Sequence, residues 1–316
     1  MHSDSHVGDS PGFTLSINTP QNIWIETIQP MNKPQRLHVP FLCLITFFTG
    51  ALQSTAPAEI EFPGTKTLFH GFTMFHDTVS GERIVVPTTT AAGTPWVWRA
   101  RFWGHKPQFD LAMVNRGYHL AFCDVGNLFG NEEAIHIGSR FYKKLVTQHD
   151  FSPRPVLEGM SRGGLFVYNW ALANPDSVTA IYADAPVMDF RSWPGGTRAG
   201  KQGPGSNVWE TCLKAYSLSH NEAVTYSNGP LNRLHILAKE NIPIIHVIGQ
   251  EDTVVPPSEN TNIAEMQYTK LSGTIRVIRK PGVGHHPHSL ADPAPLVEFI
   301  ERAWKAAETK PHRLTP

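Results

Sequence analysis

The sequence predicts an α/β fold: a mostly parallel, twisted β-sheet with helices on both faces. The main observation is that, from Thr65 onward, short apolar runs rich in β-formers alternate with stretches of helical periodicity. Glycine and proline residues separate these stretches, which is typical of turns between strands and helices. The chain has 316 residues, of which 41% are hydrophobic, so it can bury the core of one large domain.

The strands and helices can be justified in order. Pro107 begins a helix that Gly117 ends, and Asn131 can cap the next helix with Glu132 and Glu133 in its first turn. The predicted strands are 67–78, 83–86, 96–102, 118–124, 155–159, 178–188, 242–249 and 274–279. The predicted helices are 107–116, 131–146, 163–174, 258–271 and 294–308.

Residues 189–240 interrupt this alternation. They contain Gly195-Gly196 and Gly203-Pro-Gly205, together with short helical stretches. Ser219, followed three residues later by Glu222, predicts a capping box at the start of one of them. We therefore predict a helical insertion, of the kind that forms a lid, after the sixth strand.

The first 56 residues form a separate region. An apolar run over 38–52 follows Lys33 and Arg36 and precedes Ala56-Pro-Ala58, the pattern of a secretory signal peptide. We predict translation from Met31, which makes 1–30 a gene-model extension or a disordered segment, 31–56 the signal peptide and 57–316 the mature catalytic domain. The protein would be secreted or periplasmic, without stable membrane insertion after cleavage. An uncleaved membrane anchor and a strand of the fold are the alternatives for the apolar run.

Composition excludes some classes of function. Lys plus Arg and Asp plus Glu both number 27, so the basic excess of a nucleic-acid-binding protein is missing. Three cysteines are too few for a disulfide scaffold. Removal of the leader would leave Cys123 and Cys212, whose pairing the sequence leaves open.

The pattern Gly159-Met-Ser161-Arg-Gly163 lies between a predicted strand and a predicted helix. Such a turn exposes the serine hydroxyl above the sheet, and glycines on either side leave room for the neighbouring backbone. The helix that follows directs backbone N–H groups toward a developing oxyanion. Ser161 is therefore the candidate nucleophile, and the backbone N–H of Arg162 is a candidate oxyanion donor.

A serine nucleophile needs a base and an orienting acid. Asp252 follows the strand 242–249, where ligand-binding loops of such sheets lie, and Glu251 is a less favoured alternative. His285 follows Gly284 in the loop after the last strand and is the candidate base, with His286 as the alternative. His285, His286 and His288 also suggest a metal site, but the serine motif upstream favours metal-free chemistry.

On Gly159-Met-Ser161-Arg-Gly163, Gly249-Gln-Glu-Asp252 and Gly282-Val-Gly-His285, the chain resembles the α/β-hydrolase family over 65–308. More narrowly, it is similar to the secreted branch near prolyl-oligopeptidase and acetyl-esterase catalytic domains. The resemblance implies Ser161 as nucleophile, His285 as base, Asp252 as orienting acid and no cofactor. The second oxyanion donor is then expected from the loop after strand 96–102, at Arg101 or Phe102.

Three further residues are candidates for binding substrate. Trp103 and Trp193 can form an aromatic wall for a sugar or aryl group, although ordinary packing is the alternative for both. Asn127 follows a strand end and is expected on the active edge of the sheet.

The sequence thus predicts a secreted serine hydrolase that cleaves a carboxylic ester, with an acyl or aryl ester on a carbohydrate as the favoured substrate. The expected partner is a small-molecule or carbohydrate ester rather than a nucleic acid. Two alternatives stay open: a prolyl-oligopeptidase-like peptidase or amidase, and a catalytically silent binding protein with the same fold.

Overall fold

A computed structural model describes residues 61–196 and 203–309. The predicted extension (1–30) and signal peptide (31–56) lie outside the described residues. The strands are β1 (Thr65–Phe69), β2 (Phe72–His76), β3 (Arg83–Val85), β4 (Trp96–Ala100), β5 (His119–Phe122), β6 (Val156–Met160), β7 (Ala180–Asp184), β8 (Ile244–Gly249) and β9 (Ile275–Lys280). The helices are α1 (Gln108–Val114), α2 (Glu132–Gln148), α3 (Gly163–Ala173), α4 (Asn207–Tyr216), α5 (His220–Thr225), α6 (Pro230–Lys239), α7 (Thr261–Lys270) and α8 (Ala294–Glu308).

These strands form one nine-stranded sheet in the order β1-β2-β3-β5-β4-β6-β7-β8-β9. The first three strands pair antiparallel, and β3 also pairs antiparallel with β5. In the rest of the sheet, in the order β5-β4-β6-β7-β8-β9, each strand pairs parallel with its neighbours. The predicted fold class is confirmed: a mostly parallel sheet that carries an antiparallel edge.

Side chains of β4 alternate between two cores, as the two-residue period of a strand requires. Trp96, Trp98 and Ala100 pack in a core with buried residues of α2, α3, α6 and α7. Val97 points to the other face, where it packs with buried residues of α1 and α8. Helices therefore cover both faces of the sheet, so the side chains of its central parallel strands are buried on both sides.

The strand predicted over 67–78 is two strands, β1 and β2, joined by a tight turn. His70 and Gly71 occupy this turn with φ of 48° and 91°, the left-handed values that a two-residue hairpin loop needs. The helical insertion follows the strand predicted over 178–188, as expected, and the additional hairpin makes that strand the seventh rather than the sixth.

The region 189–240 contains two kinds of helix. Buried residues of α4 and α5 share a small core with Phe190 and with Leu165 of α3. These two helices therefore pack over α3, one of the helices that cover the sheet. The capping box is present, since Ser219 accepts from the Glu222 N–H and the Glu222 side chain accepts from the Ser219 N–H. By contrast, Leu234 and Leu237 of α6 belong to the main core, so α6 covers the sheet.

Both described cysteines are buried and free. Cys123 lies in the main core and Cys212 in the core of the insertion. Burial raises the pKa of both thiols, which makes them unreactive. Within 61–196 and 203–309, no helix is long and apolar enough to cross a lipid bilayer.

Candidate active site

Ser161 lies in the sharp turn between β6 and α3. Its φ is 49°, a left-handed conformation that is strained for a residue with a side chain. The turn is held by backbone bonds: the Ser161 N–H donates to the Asp184 carbonyl at 2.8 Å, and the Ser161 carbonyl accepts from Val187 N–H at 3.0 Å. A Cβ on Gly163 would lie 2.6 Å from the Ala100 carbonyl oxygen, so glycine is required there.

Three side chains form a hydrogen-bonded row at the carboxyl edge of the parallel strands. The Ser161 Oγ lies 3.0 Å from His285 Nε2, and His285 Nδ1 lies 2.7 Å from Asp252 Oδ2. The Asp252 and His285 side chains are only 1% and 7% exposed. This arrangement can transfer the serine proton to imidazole while the buried carboxylate stabilises the imidazolium that forms.

The loops after β8 and β9 bring Asp252 and His285 together. Asp252 Oδ1 accepts from the backbone N–H groups of Val254 and Val255 at 2.8 and 2.9 Å, which fixes the carboxylate. The two loops touch closely, because a Cβ on Gly249 would lie 2.0 Å from the Gly284 carbonyl oxygen. Gly249, in the motif of the acid, therefore allows the loop that carries the base to approach.

The three histidines of the last loop have different partners. One nitrogen from each of His285, His286 and His288 lies within 4.8 Å of the others, a spacing that a metal ion could bridge. However, both nitrogens of His285 already contact Asp252 and Ser161, and His288 Nδ1 contacts Asp184 Oδ1 at 2.6 Å. The donor set therefore fits a serine triad better than a metal centre, and His286 is exposed beside it.

The sequence did not single out Asp184, although it ends a strand at the active edge. Asp184 accepts from Ser289 N–H at 2.7 Å and from His288, so it holds the loop that carries His285. Its position at the carboxyl end of β7, in line with the ends of β6 and β8, is the signal that could have identified it.

The loop proposed for the second oxyanion donor lies next to the serine turn. Arg101 and Phe102 follow β4 with φ of 64° and 49°, so the chain turns sharply there. The Phe102 carbonyl accepts from the Arg99 guanidinium at 3.1 Å, which anchors the turn. Arg162 precedes the first residue of α3, where backbone N–H groups have no intrahelical acceptor and can serve an oxyanion.

The candidate substrate-binding residues separate into two groups. Trp193 and Asn127 both approach Arg162, the residue after the nucleophile: its Cζ lies 6.0 Å from the Trp193 ring, and its Nη1 donates to Asn127 Oδ1 at 3.4 Å. Trp103 instead packs against Phe69 and Phe122, with ring centroids 5.0 and 5.5 Å away. Packing in the core on the α1 and α8 face is therefore the role that the structure supports for Trp103.

Comparison with protein-family models and with curated proteins gives no match. Among solved structures, the chain is similar to a puromycin-hydrolyzing peptidase of Mycobacterium tuberculosis, with 15% identity, 72% of this chain and 37% of that chain covered, and a TM-score of 0.51. It is also similar to an acylaminoacyl peptidase of Pyrococcus horikoshii, with 15% identity, 72% and 38% coverage and a TM-score of 0.45.

A further acylaminoacyl peptidase, in complex with a chloromethyl ketone, matches with 14% identity, 74% and 40% coverage and a TM-score of 0.49. The chain spans 40% or less of the length of these three proteins. Identities this low are evidence of fold rather than of substrate. The match with a TM-score of 0.51, together with the sheet order and the strand–turn–helix at Ser161, shows that this chain has the α/β-hydrolase fold.

Proposed function

We propose that the protein is a serine hydrolase that cleaves an acyl bond through an acyl-enzyme on Ser161. The observation that carries this proposal is the row of hydrogen bonds from Ser161 through His285 to Asp252. In the first step His285 Nε2 takes the Ser161 proton as Oγ attacks the carbonyl carbon, and the protonated imidazole then gives that proton to the leaving group. Water, deprotonated by the same imidazole, hydrolyses the acyl-enzyme.

The backbone supplies the electrostatic part of this proposed mechanism. The Arg162 N–H and an N–H of the Arg101–Phe102 turn would hold the oxyanion of the tetrahedral intermediate. Because both groups are fixed by the fold before substrate arrives, they need no reorganisation during the reaction. No step of this reaction requires a metal or an organic cofactor.

For the bond that is cleaved, we place a peptide or amide ahead of a carboxylic ester. The neighbour with a TM-score of 0.51 is named a peptidase, which supports the amide reading. The ester, including an acyl or aryl ester on a carbohydrate, is the second candidate, and the half-buried ring of Trp193 near Arg162 favours it. Export of the mature chain, proposed from residues 31–56, is compatible with either bond.

A fluorophosphonate probe tests the proposed nucleophile. We expect stoichiometric labelling of the full chain, with the phosphonyl group located on the peptide that contains Ser161 by mass spectrometry. Ser161→Ala should abolish the labelling while leaving the circular dichroism spectrum unchanged. Labelling that persists in Ser161→Ala would show that another residue is the nucleophile, and an unlabelled wild-type chain would favour a catalytically silent binding protein.

Two substrates with the same acyl group then separate the bond classes. N-acetyl-alanine p-nitrophenyl ester and N-acetyl-alanine p-nitroanilide differ only in the atom that leaves. Ser161-dependent release of p-nitroaniline is expected if amides are substrates. Hydrolysis of the ester alone would favour the esterase alternative.

A further inference from the structure

A positively charged cluster lies beside the nucleophile, and the proposed reaction does not use its side chains. It consists of Arg162, Arg101, Phe102, Trp193 and Asn127, which we call the Arg162 cluster. Arg162 is the residue directly after Ser161, so their Cα atoms are about 3.8 Å apart. Its backbone is fixed by the start of α3, and its side chain is half-buried.

Two aromatic rings from different parts of the chain hold the Arg162 guanidinium. Phe102 lies in the loop after β4, and Trp193 lies in the insertion. The Arg162 Cζ is 5.7 Å from the ring centroid of Phe102 and 6.0 Å from that of Trp193. Both distances fit cation–π contacts. The contact with Asn127 Oδ1, at 3.4 Å, is long and neutral, so it orients the guanidinium without neutralising its charge.

A second guanidinium adds to the positive charge of the cluster. The Cζ of Arg101 lies 5.6 Å from the same Phe102 ring. Burial lowers the pKa of Arg162, and the charge of Arg101 lowers it further, as expected for two cations held near each other. Arg101 Nη1 forms a partly exposed ion pair with Asp124 Oδ1 at 3.9 Å, and because the Asp124 side chain is 60% exposed, this pair offsets the charge of Arg101 only in part.

Among the ion pairs of the described residues, none joins the Arg162 guanidinium to a carboxylate within 4.0 Å. Next to the nucleophile, Arg162 therefore has no carboxylate partner among the described residues, and Arg101 has only the partly exposed Asp124. Holding two like charges near each other at a half-buried site is unfavourable, and an anion bound to the Arg162 guanidinium would lower that cost. A guanidinium binds carboxylates with two parallel hydrogen bonds, which makes a carboxylate the anion that fits best.

We propose that the Arg162 cluster binds a carboxylate of the substrate, so that this hydrolase acts on acyl compounds that carry a carboxylate close to the scissile bond. This inference rests on the proposed function. The carboxylate can belong to the acyl group or to the leaving group, and both place a negative charge beside Ser161. The half-buried ring of Trp193 shields one side of this pair from water and so strengthens it.

Two pairs of esters test this specificity. On the acyl side, p-nitrophenyl hydrogen succinate is compared with the neutral p-nitrophenyl butyrate. On the leaving-group side, 4-acetoxybenzoate is compared with its methyl ester. We expect kcat/KM of the wild-type protein to be at least about tenfold higher for the anionic member of one pair, the size expected of a charge-assisted contact. The pair that responds identifies which side carries the carboxylate.

The readout for Arg162 is the ratio of kcat/KM between the anionic and the neutral member of that pair. Arg162→Gln retains the backbone N–H and should lower this ratio at least about tenfold, with most of the change in KM. Arg162→Lys keeps the charge but loses the bidentate geometry, so it should restore part of the ratio. Arg140→Gln, on the exposed side of α2, makes the same change of charge and should leave the ratio unchanged.

Two results would overturn the inference: a wild-type protein without preference for the anionic member in either pair, or an Arg162→Gln variant that loses both members equally. The second result would instead assign the side chain to the oxyanion. Either failure is distinguishable from failure of the proposed function, because fluorophosphonate labelling of Ser161 does not depend on a carboxylate in the substrate.

Discussion

Replacing His285 with alanine should lower kcat for p-nitrophenyl acetate by at least about 10⁴-fold. The reason is that His285 Nε2 is the group 3.0 Å from the Ser161 Oγ, and its Nδ1 is bonded to the buried Asp252. Without the imidazole, no base takes the proton of the attacking hydroxyl, and none activates the water that hydrolyses the acyl-enzyme. The measurement is steady-state kinetics, together with a circular dichroism spectrum that shows the variant to be folded.

His286→Ala is the matched control for this prediction. His286 is exposed, and its ring centroid is 5.0 Å from that of His285, so it makes a ring contact with the base without replacing it. We expect kcat to change by less than about tenfold, well below the loss expected when a triad member is removed. Equal losses in the two variants would contradict the assignment of His285 as the base.

Replacing Arg99 with alanine should lower the free energy of unfolding by about 3–5 kcal/mol. Arg99 lies on β4, is 1% exposed, and its Nη1 forms ion pairs with Asp110 and Glu158, which are equally buried. Burial raises the pKa of Glu158, while the charge of Arg99 lowers it. The variant would leave the carboxyl groups of Asp110 and Glu158 in the interior without the cation that pairs with them. Removing one partner of a buried ion pair in this way is strongly destabilising.

Arg99 also connects the core to the site. Its Nη2 donates to the carbonyls of Phe102 and His105 at 3.1 and 2.5 Å, so the variant should also loosen the loop proposed to supply an oxyanion donor.

Urea unfolding measures the free energy of unfolding of each Arg variant. Arg116→Ala removes a half-exposed ion pair with Glu301 and should cost about 0–1 kcal/mol. An Arg99→Ala variant whose free energy of unfolding lies within about 1 kcal/mol of the wild-type value would show that the ion pairs of Arg99 with Asp110 and Glu158 contribute little.

The fold class and the loops of the triad could be predicted from the sequence because their signals are local. Gly-x-Ser-x-Gly between a strand and a helix is a contiguous pattern, and Asp252 and His285 each follow the end of a predicted strand. The alternation of apolar runs with helical periodicity was sufficient for the parallel sheet. The order of these motifs along the chain then limited which residues were candidates for acid and base.

The features that the sequence could not reveal depend on distant partners. Arg99 stands in the strand Trp-Val-Trp-Arg-Ala, where one charged residue ordinarily indicates an exposed position, and its partner Glu158 is 59 residues away. The β1–β2 turn uses His70-Gly71 rather than the Asn-Gly that marks most such hairpins. The sequence leaves two roles open for Trp103, a substrate wall or ordinary packing, and the choice depends on the face that its ring takes, which packing against Phe69 decides.

The most direct test of the central claim is trapping the acyl-enzyme. Mixing the full chain with p-nitrophenyl acetate and quenching in acid within milliseconds should yield a fraction of protein with one acetyl group added, located by mass spectrometry on the peptide containing Ser161. A burst of p-nitrophenol up to the enzyme concentration should accompany it. Turnover that persists in Ser161→Ala, or an acetyl group on another residue at the kinetically competent time, would contradict the account.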